Sequence, residues 1–343
     1  MHLRRFLTAS VAALVVLGAA ACGGSDGPTD TTEGADLVIY SGRSESLVAG
    51  VLEDLEQQTG VKVGVRYAGS SELAAQLLEE GEATKADLFF SQDAGALGAL
   101  AKAGRLEPLD PAVSDQVIEG FADPNGLWVG TSARARVIAF NPQQAPEVEQ
   151  MTSVDAVLDP KYKGKIGYAP ANASFHAFVT ALRVDKGEDG AKEWLTKFKA
   201  NEPRKYDNNV LILDGVDKGE VALGLVNHYY WYERIAEKGA DAVTAKIHFV
   251  GSGDPGALIN VAGVGILKGT DQKPAAAKAV NYLLSEKAQQ YFADETAEYP
   301  VIEGITSKHN LPPLADLEKA SIDLNELDSL ETTLAMLNEV GLT

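Results

Sequence analysis

From Asp36 onward the chain alternates two hydrophobic periods. Short runs of β-branched and aromatic residues (DLVIYSG, VKVGVRYAG, ADLFFSQD) are separated by longer stretches whose apolar residues recur three and four positions apart (ESLVAGVLEDLEQQTG, SELAAQLLEEGE). The first kind suits half-buried strands and the second suits helices with one apolar face, so the order reads β-α-β-α-β. Ser44 stands where a helix cap belongs and Gly60 where a helix can end.

A second set follows LWVGTSARARVIAFNP. KGKIGYAP reads as a strand, SFHAFVTALRVDKG and GAKEWLTKFKANE as helices, and NVLILDGVDKGEVALGLVNHYYWYERIAEKG as a further α/β stretch. The extended HFVGSGDPGALINVAGVGIL and the helical AAAKAVNYLLSEKAQQYFAD then return the chain toward its first half. The predicted fold class is α/β with two lobes, each an open, mainly parallel sheet flanked by helices, joined by crossing hinge segments. Residues 35–132 with 263–320 form the expected first lobe, and 133–262 with 321–343 the second. Ligands of open α/β sheets bind at the carboxyl ends of strands, so the loops there are where chemistry is sought.

The amino-terminal end breaks the pattern. Arg4 and Arg5 precede an apolar run from Phe6 to Ala20 and then Ala21-Cys22, the layout of an export signal over residues 1–21. The run is short for a membrane helix, since spanning a bilayer takes about 20 apolar residues. Cys22 is the sole cysteine, so no disulfide can form within the chain. Following Ala19-Ala20-Ala21, it resembles the lipidated cysteine of a bacterial lipoprotein, which would anchor the protein to the outer face of the cell membrane. The plainer reading is an ordinary small residue after a signal. Residues 22–34 lack any large apolar side chain and read as a flexible tether. The net charge of -19 argues against nucleic acid, whose phosphates need a basic surface. It suits capture of cations, and equally the solubility of an exported protein.

The densest chemistry lies in Asn227-His228-Tyr229-Tyr230-Trp231-Tyr232, where the apolar run VALGLV gives way to a helical pattern. Three readings stand side by side: aromatics packed in a core, an aromatic box for an organic cation, or phenols as metal ligands. A free phenol has a pKa of about 10, so it ionises near neutral pH only beside strong positive charge. Fe(III) is a small hard trication that supplies such a charge. His176, His228, His248 and His309 fall in no zinc spacing. No GxxxxGK[ST] or HExxH pattern occurs, and the chain is read as a non-enzyme.

In order along the chain, VIYSGRSES, ADLFFSQDAGALGAL, ARARVIAFNP, YKGKIGYAP, NNV with VNHYYWY, DPGALINVAG and AEYP resemble the periplasmic ferric-iron-binding proteins, solute-binding lipoproteins of ABC importers with the type II periplasmic binding fold. The resemblance implies that Tyr229 and Tyr230 take the places of paired phenolate ligands on iron. It implies that Asn172, Ala173, Ser174, Asn209 and Asn227 hold a small synergistic anion. The family's first-lobe histidine and glutamate are replaced by Ser44 and Gln92, and Phe175 stands where some members place a third tyrosine. Two phenolates leave one positive charge of Fe(III) uncompensated, so carbonate or phosphate is expected to close the gap. Arg43, Arg134 and Arg136 are candidate clamps, because guanidinium grips planar oxyanions with a fork. Asp93 is a candidate carboxylate for the metal or, more plainly, a helix cap, and Asp254 is a turn residue.

The expected function is therefore extracytoplasmic capture of Fe(III) for an ABC permease, by a monomer. The competing cargoes are an organic cation, polyamine or thiamine-like, and a phosphonate, since fold does not decide cargo.

Overall fold

The computed structural model describes residues 31–251, 253–317, 320 and 322–343. The expected export signal and Cys22 lie outside the described residues, as does most of the expected tether.

The first half follows the expected alternation. Strand β1 (Leu37–Ser41), helix α1 (Glu45–Thr59), β2 (Val63–Tyr67), α2 (Ser70–Glu80), β3 (Leu88–Ser91) and α3 (Ala94–Lys102) succeed one another, then a one-turn α4 (Pro111–Ser114). In α1 the buried residues Val48, Val51, Leu52 and Leu55 fall on one face, and burial of each is worth roughly 1.5–3 kcal/mol. Gly60 ends the helix at φ 69, a left-handed conformation, and its N–H donates to the Glu56 carbonyl. Ser44 occupies the cap position with extended backbone, but its side chain makes no capping hydrogen bond.

The second half contains β4 (Val129–Phe140), β5 (Ile166–Tyr168), α5 (Ala173–Ala200), β6 (Arg204–Lys205), α6 (Asn209–Asp217), β7 (Leu223–Asn227), α7 (Tyr229–Lys238) and β8 (Lys246–His248). It closes with β9 (Ile259–Ile266), α8 (Lys273–Leu283), α9 (Glu286–Glu295) and α10 (Leu330–Val340). The two helices expected on either side of Gly187 form one run, broken where that glycine takes φ 70 and ψ 173.

The strands make one nine-stranded sheet in the order β2-β1-β3-β9-β4-β7-β5-β6, with β8 also on β4. Two sheets joined by crossing segments were expected, and β4 is a crossing strand that links them into this one path. All twelve of its residues are buried. Its first part, Val129 to Ala135, pairs antiparallel with β9, and its second part, Arg136 to Phe140, pairs antiparallel with β7. The strand changes partners between Ala135 and Arg136, so hydrogen bonding runs unbroken through the middle of the molecule.

Two large cores flank that change. One gathers Leu52, Phe89, Phe90, Trp128 and Phe292 around β1, β3 and β9. The other gathers Phe140, Tyr162, Phe178, Trp194 and Phe198, with Met336 and Leu337 of α10 packed into it. The last residues of the expected tether are packed on the sheet: Thr31 donates its N–H to the Val65 carbonyl and accepts from the Val65 N–H through its hydroxyl at 2.9 Å. The outer side of β2 offers unpaired backbone groups, and Thr31 satisfies a pair of them.

Candidate functional site

Strand β7 is buried along its whole length. It delivers Asn227 and His228 to the point where α7 begins with Tyr229. The Tyr229 ring is 0% exposed, and its centroid lies 4.1 Å from that of Tyr230. The Tyr229 hydroxyl has no hydrogen-bond partner among the described residues. A buried hydroxyl left without a partner is costly, so its presence calls for an explanation. Burial pushes the Tyr229 phenol well above its ordinary range, with Tyr230 and Glu298 adding to the shift and Arg134 and Arg43 opposing it. Burial raises Tyr230 too, with the neighbouring Tyr229 hydroxyl first, then Asn209 and Arg43, opposing the shift. Neither phenol will ionise at neutral pH unless a strong cation arrives to reverse the balance.

Beside the phenols lies a buried charge network. Arg43 places both ends of its fork on Glu298, at 2.9 and 2.5 Å. Ser132 donates to the same carboxylate at 3.0 Å and Thr296 at 3.1 Å, while Arg134 reaches it at 3.5 Å. Burial alone would raise the Glu298 pKa, but Arg43, Arg134 and Ser132 hold it below the usual carboxylate range. Arg43 is thus engaged within the protein. Arg134 keeps its Nε and Nη2 without partners among the described residues, as does Asn227 its Nδ2.

A second polar cluster caps α5. Asn172 accepts from the Ser174 N–H at 2.9 Å and from the Ser174 hydroxyl at 2.6 Å. Asn209, the first residue of α6, donates to that hydroxyl at 3.2 Å, as does Arg136. Two helix starts therefore meet here, each with exposed N–H groups that favour an anion. Ala173 is buried as the first residue of α5. Arg136 also donates to the Leu225 carbonyl at 3.2 Å and lies over the Phe178 ring, and burial lowers its pKa to about 9.

The first-lobe candidates stand differently. Ser44 is exposed, and Gln92 is half-buried with its N–H donating to Ser70. Asp93 caps α3 by accepting the Ala96 N–H at 3.0 Å, and its other oxygen has no partner among the described residues. Burial raises its pKa, with Arg134 acting in the opposite sense. Asp254 caps a short turn. Phe175 packs against Tyr168 and Phe178. No three His, Cys, Asp or Glu side chains among the described residues gather closely enough to hold a metal ion.

Sequence reasoning missed two carboxylates. Glu298 was visible only as part of AEYP. Glu233, one turn beyond the tyrosines on α7, has a buried oxygen without a partner among the described residues; its helical spacing from Tyr229 was the available signal. No described helix is long and apolar enough to cross a membrane.

Comparison with known proteins gives the family. The model of the family described as "Bacterial extracellular solute-binding protein" matches residues 83–323. The chain is 34% identical over 311 residues to the major ferric iron-binding protein of Neisseria meningitidis, covering 90% of this chain and 93% of that protein. It is 31% identical over 307 residues to the Fe(3+)-binding periplasmic protein of Serratia marcescens, covering 89% and 90% respectively. The crystal structure of iron-bound HitA from Pseudomonas aeruginosa superposes with a TM-score of 0.83 at 33% identity, over 89% of this chain and 99% of that one. The chain belongs to the periplasmic ferric-iron-binding proteins, within the bacterial extracellular solute-binding protein family.

Proposed function

We propose that this protein captures Fe(III) outside the cytoplasm for an ABC importer, holding it through the phenolates of Tyr229 and Tyr230 with carbonate or phosphate as synergistic anion. The observation that carries this reading is the buried Tyr229 hydroxyl, which has no partner among the described residues and lies against Tyr230. A trivalent cation would give both phenols a counter-charge that the protein alone withholds. The donor groups of Asn227 and Arg134, and the cluster of Asn172, Ser174, Asn209 and Arg136, supply a bed for the anion. Ser44, Gln92 and Asp93 are the first-lobe groups placed to meet the cargo.

An organic cation fits less well. The two rings pack on one another at 4.1 Å and leave no slot between their faces. An oxyanion cargo such as a phosphonate has a specific observation in its favour, the buried Arg134, whose Nε and Nη2 have no partner among the described residues.

On this reading residues 1–21 direct export and Cys22 carries the lipid. Residues 35–132 with 263–320 close against 133–262 with 321–343, and the closed monomer docks on the membrane permease. The test is titration of the metal-free protein with chelated Fe(III), with and without bicarbonate, followed in the visible spectrum. A phenolate-to-iron band that requires the anion and is lost in Tyr230→Phe supports the reading. No band, with stabilisation by a phosphonate instead, would replace it.

A further inference from the structure

The charges around the phenols do not balance once Fe(III) is placed among them. Two phenolates answer two of its three positive charges. Glu298 cannot answer the third, because Arg43, Arg134, Ser132 and Thr296 already share its two oxygens. Ser44 and Gln92 bring no charge. One oxygen of Asp93 is committed to the α3 cap, and its charge acts on Arg134.

Glu233 is a carboxylate on the helix that carries both phenols. It follows Tyr229 by four positions and Tyr230 by three on α7, which places all three on neighbouring faces of one helix. Its Oε1 is buried and has no partner among the described residues. Arg43 and Glu298 both lie close enough to act on its charge, and it acts in turn on Tyr230.

From this placement we infer that Glu233 supplies the third anionic charge of the cargo site, setting its preference for a trivalent cation. The inference rests on the ferric reading above and adds a residue to it. A carboxyl in that setting lacks a counter-charge in the ligand-free protein and gains one when the cation enters. The exogenous anion then has less positive charge to neutralise, and its main partners become the unpartnered donors of Arg134 and Asn227.

The experiment compares the purified full chain with Glu233→Gln and Glu233→Asp, each titrated with ferric citrate and bicarbonate against a competing chelator. The visible band and the melting temperature with and without iron are recorded. Glu233→Gln should lower the apparent Fe(III) affinity by roughly 10- to 100-fold, the range seen when an outer partner of a metal site is removed. Its band should move to longer wavelength, since iron with fewer anionic neighbours takes phenolate electrons more readily. Its iron-free melting temperature should hold or rise, and Glu233→Asp should recover part of the affinity. Wild-type affinity and band position in Glu233→Gln would overturn the inference, as would an equal loss of affinity for iron and for a divalent cation. A band in wild type that vanishes in Tyr230→Phe but is unmoved in Glu233→Gln leaves the tyrosine site standing and removes Glu233 alone. Absence of any band in wild type removes both.

Discussion

Arg43 and Glu298 lie 255 positions apart in the chain and meet in a two-pronged, fully buried ion pair. Arg43 follows β1, and Glu298 follows α9 in the segment that pairs with β4 at Ala133. Buried pairs of this kind do little for stability against a well-packed apolar replacement, but loss of one partner strands the other charge. Glu298→Gln would leave Arg43 and Arg134 facing each other without their common anion. It should therefore cost about 3–5 kcal/mol, read by chemical denaturation of the iron-free protein. A joint replacement of Arg43, Arg134 and Glu298 by apolar residues of similar size should recover much of that loss.

The tyrosines should show the opposite balance between stability and function. The Tyr229 hydroxyl has no partner among the described residues, so Tyr229→Phe removes a buried polar atom that gains nothing in the ligand-free state. Iron-free stability should stay level or rise by about 1 kcal/mol, while the iron-dependent band and the iron-dependent rise in melting temperature disappear. A stability loss comparable to that of Glu298→Gln would mean that the hydroxyl is structural.

His228 sits where β4 changes partners. Its Nδ1 accepts the Ala135 N–H at 3.2 Å, its own N–H donates to the Ala135 carbonyl, and its Nε2 donates to Ala297 at 3.0 Å. Burial pushes its pKa down to about 4, and burial lowers His176 as well. The sign follows from proton counting: between the ordinary value of about 6.5 and 4, the unfolded chain binds a proton that the folded chain refuses. Stability should therefore be complete above about pH 6.5 and decline as pH falls toward 4, with a contribution from His228 on the order of 3 kcal/mol. Melting curves across that range should show the decline. The slope should be shallower in His228→Asn, which carries no titrating ring.

Much of this was legible in the sequence because it depends on local pattern. Apolar spacing gave the helices, Gly60 and Gly187 marked real interruptions, and the tyrosine pair stood out because it follows the apolar run that becomes β7. The carboxylates beside the phenols were hidden for a different reason. The importance of Glu298 lies in a partner 255 positions away, and that of Glu233 in an oxygen whose lack of partners emerges only after folding. The continuity of the sheet was hidden too. A strand of twelve buried residues reads as one extended run, and nothing in it announces that Ala135 and Arg136 face different neighbours.

The contact between Ser71 and His176 leads to a prediction about closure. Ser71 belongs to α2, whose Leu73, Ala74 and Leu77 pack in the first core, while α5 sends Phe175 and Phe178 into the second and Ala177 and Ala181 into the first. The two side chains meet at 3.0 Å between Ser71 Oγ and His176 Nδ1. Because His176 Nε2 donates to the Pro170 carbonyl at 2.7 Å, Nδ1 carries the lone pair and the serine hydroxyl donates to it. This bond ties α2 to α5 next to the Asn172–Ser174 cluster, adding to the packing of Ala177 and Ala181 on the first core. A hydrogen bond of this sort contributes about 0.5–1.5 kcal/mol. Ser71→Ala should shift the ligand-free population toward an open shape, with a larger radius of gyration by small-angle scattering, and weaken cargo affinity by roughly 2- to 10-fold. The band position should stay put, because no group near iron has changed. A variant with unaltered scattering and affinity would show that closure does not depend on this bond.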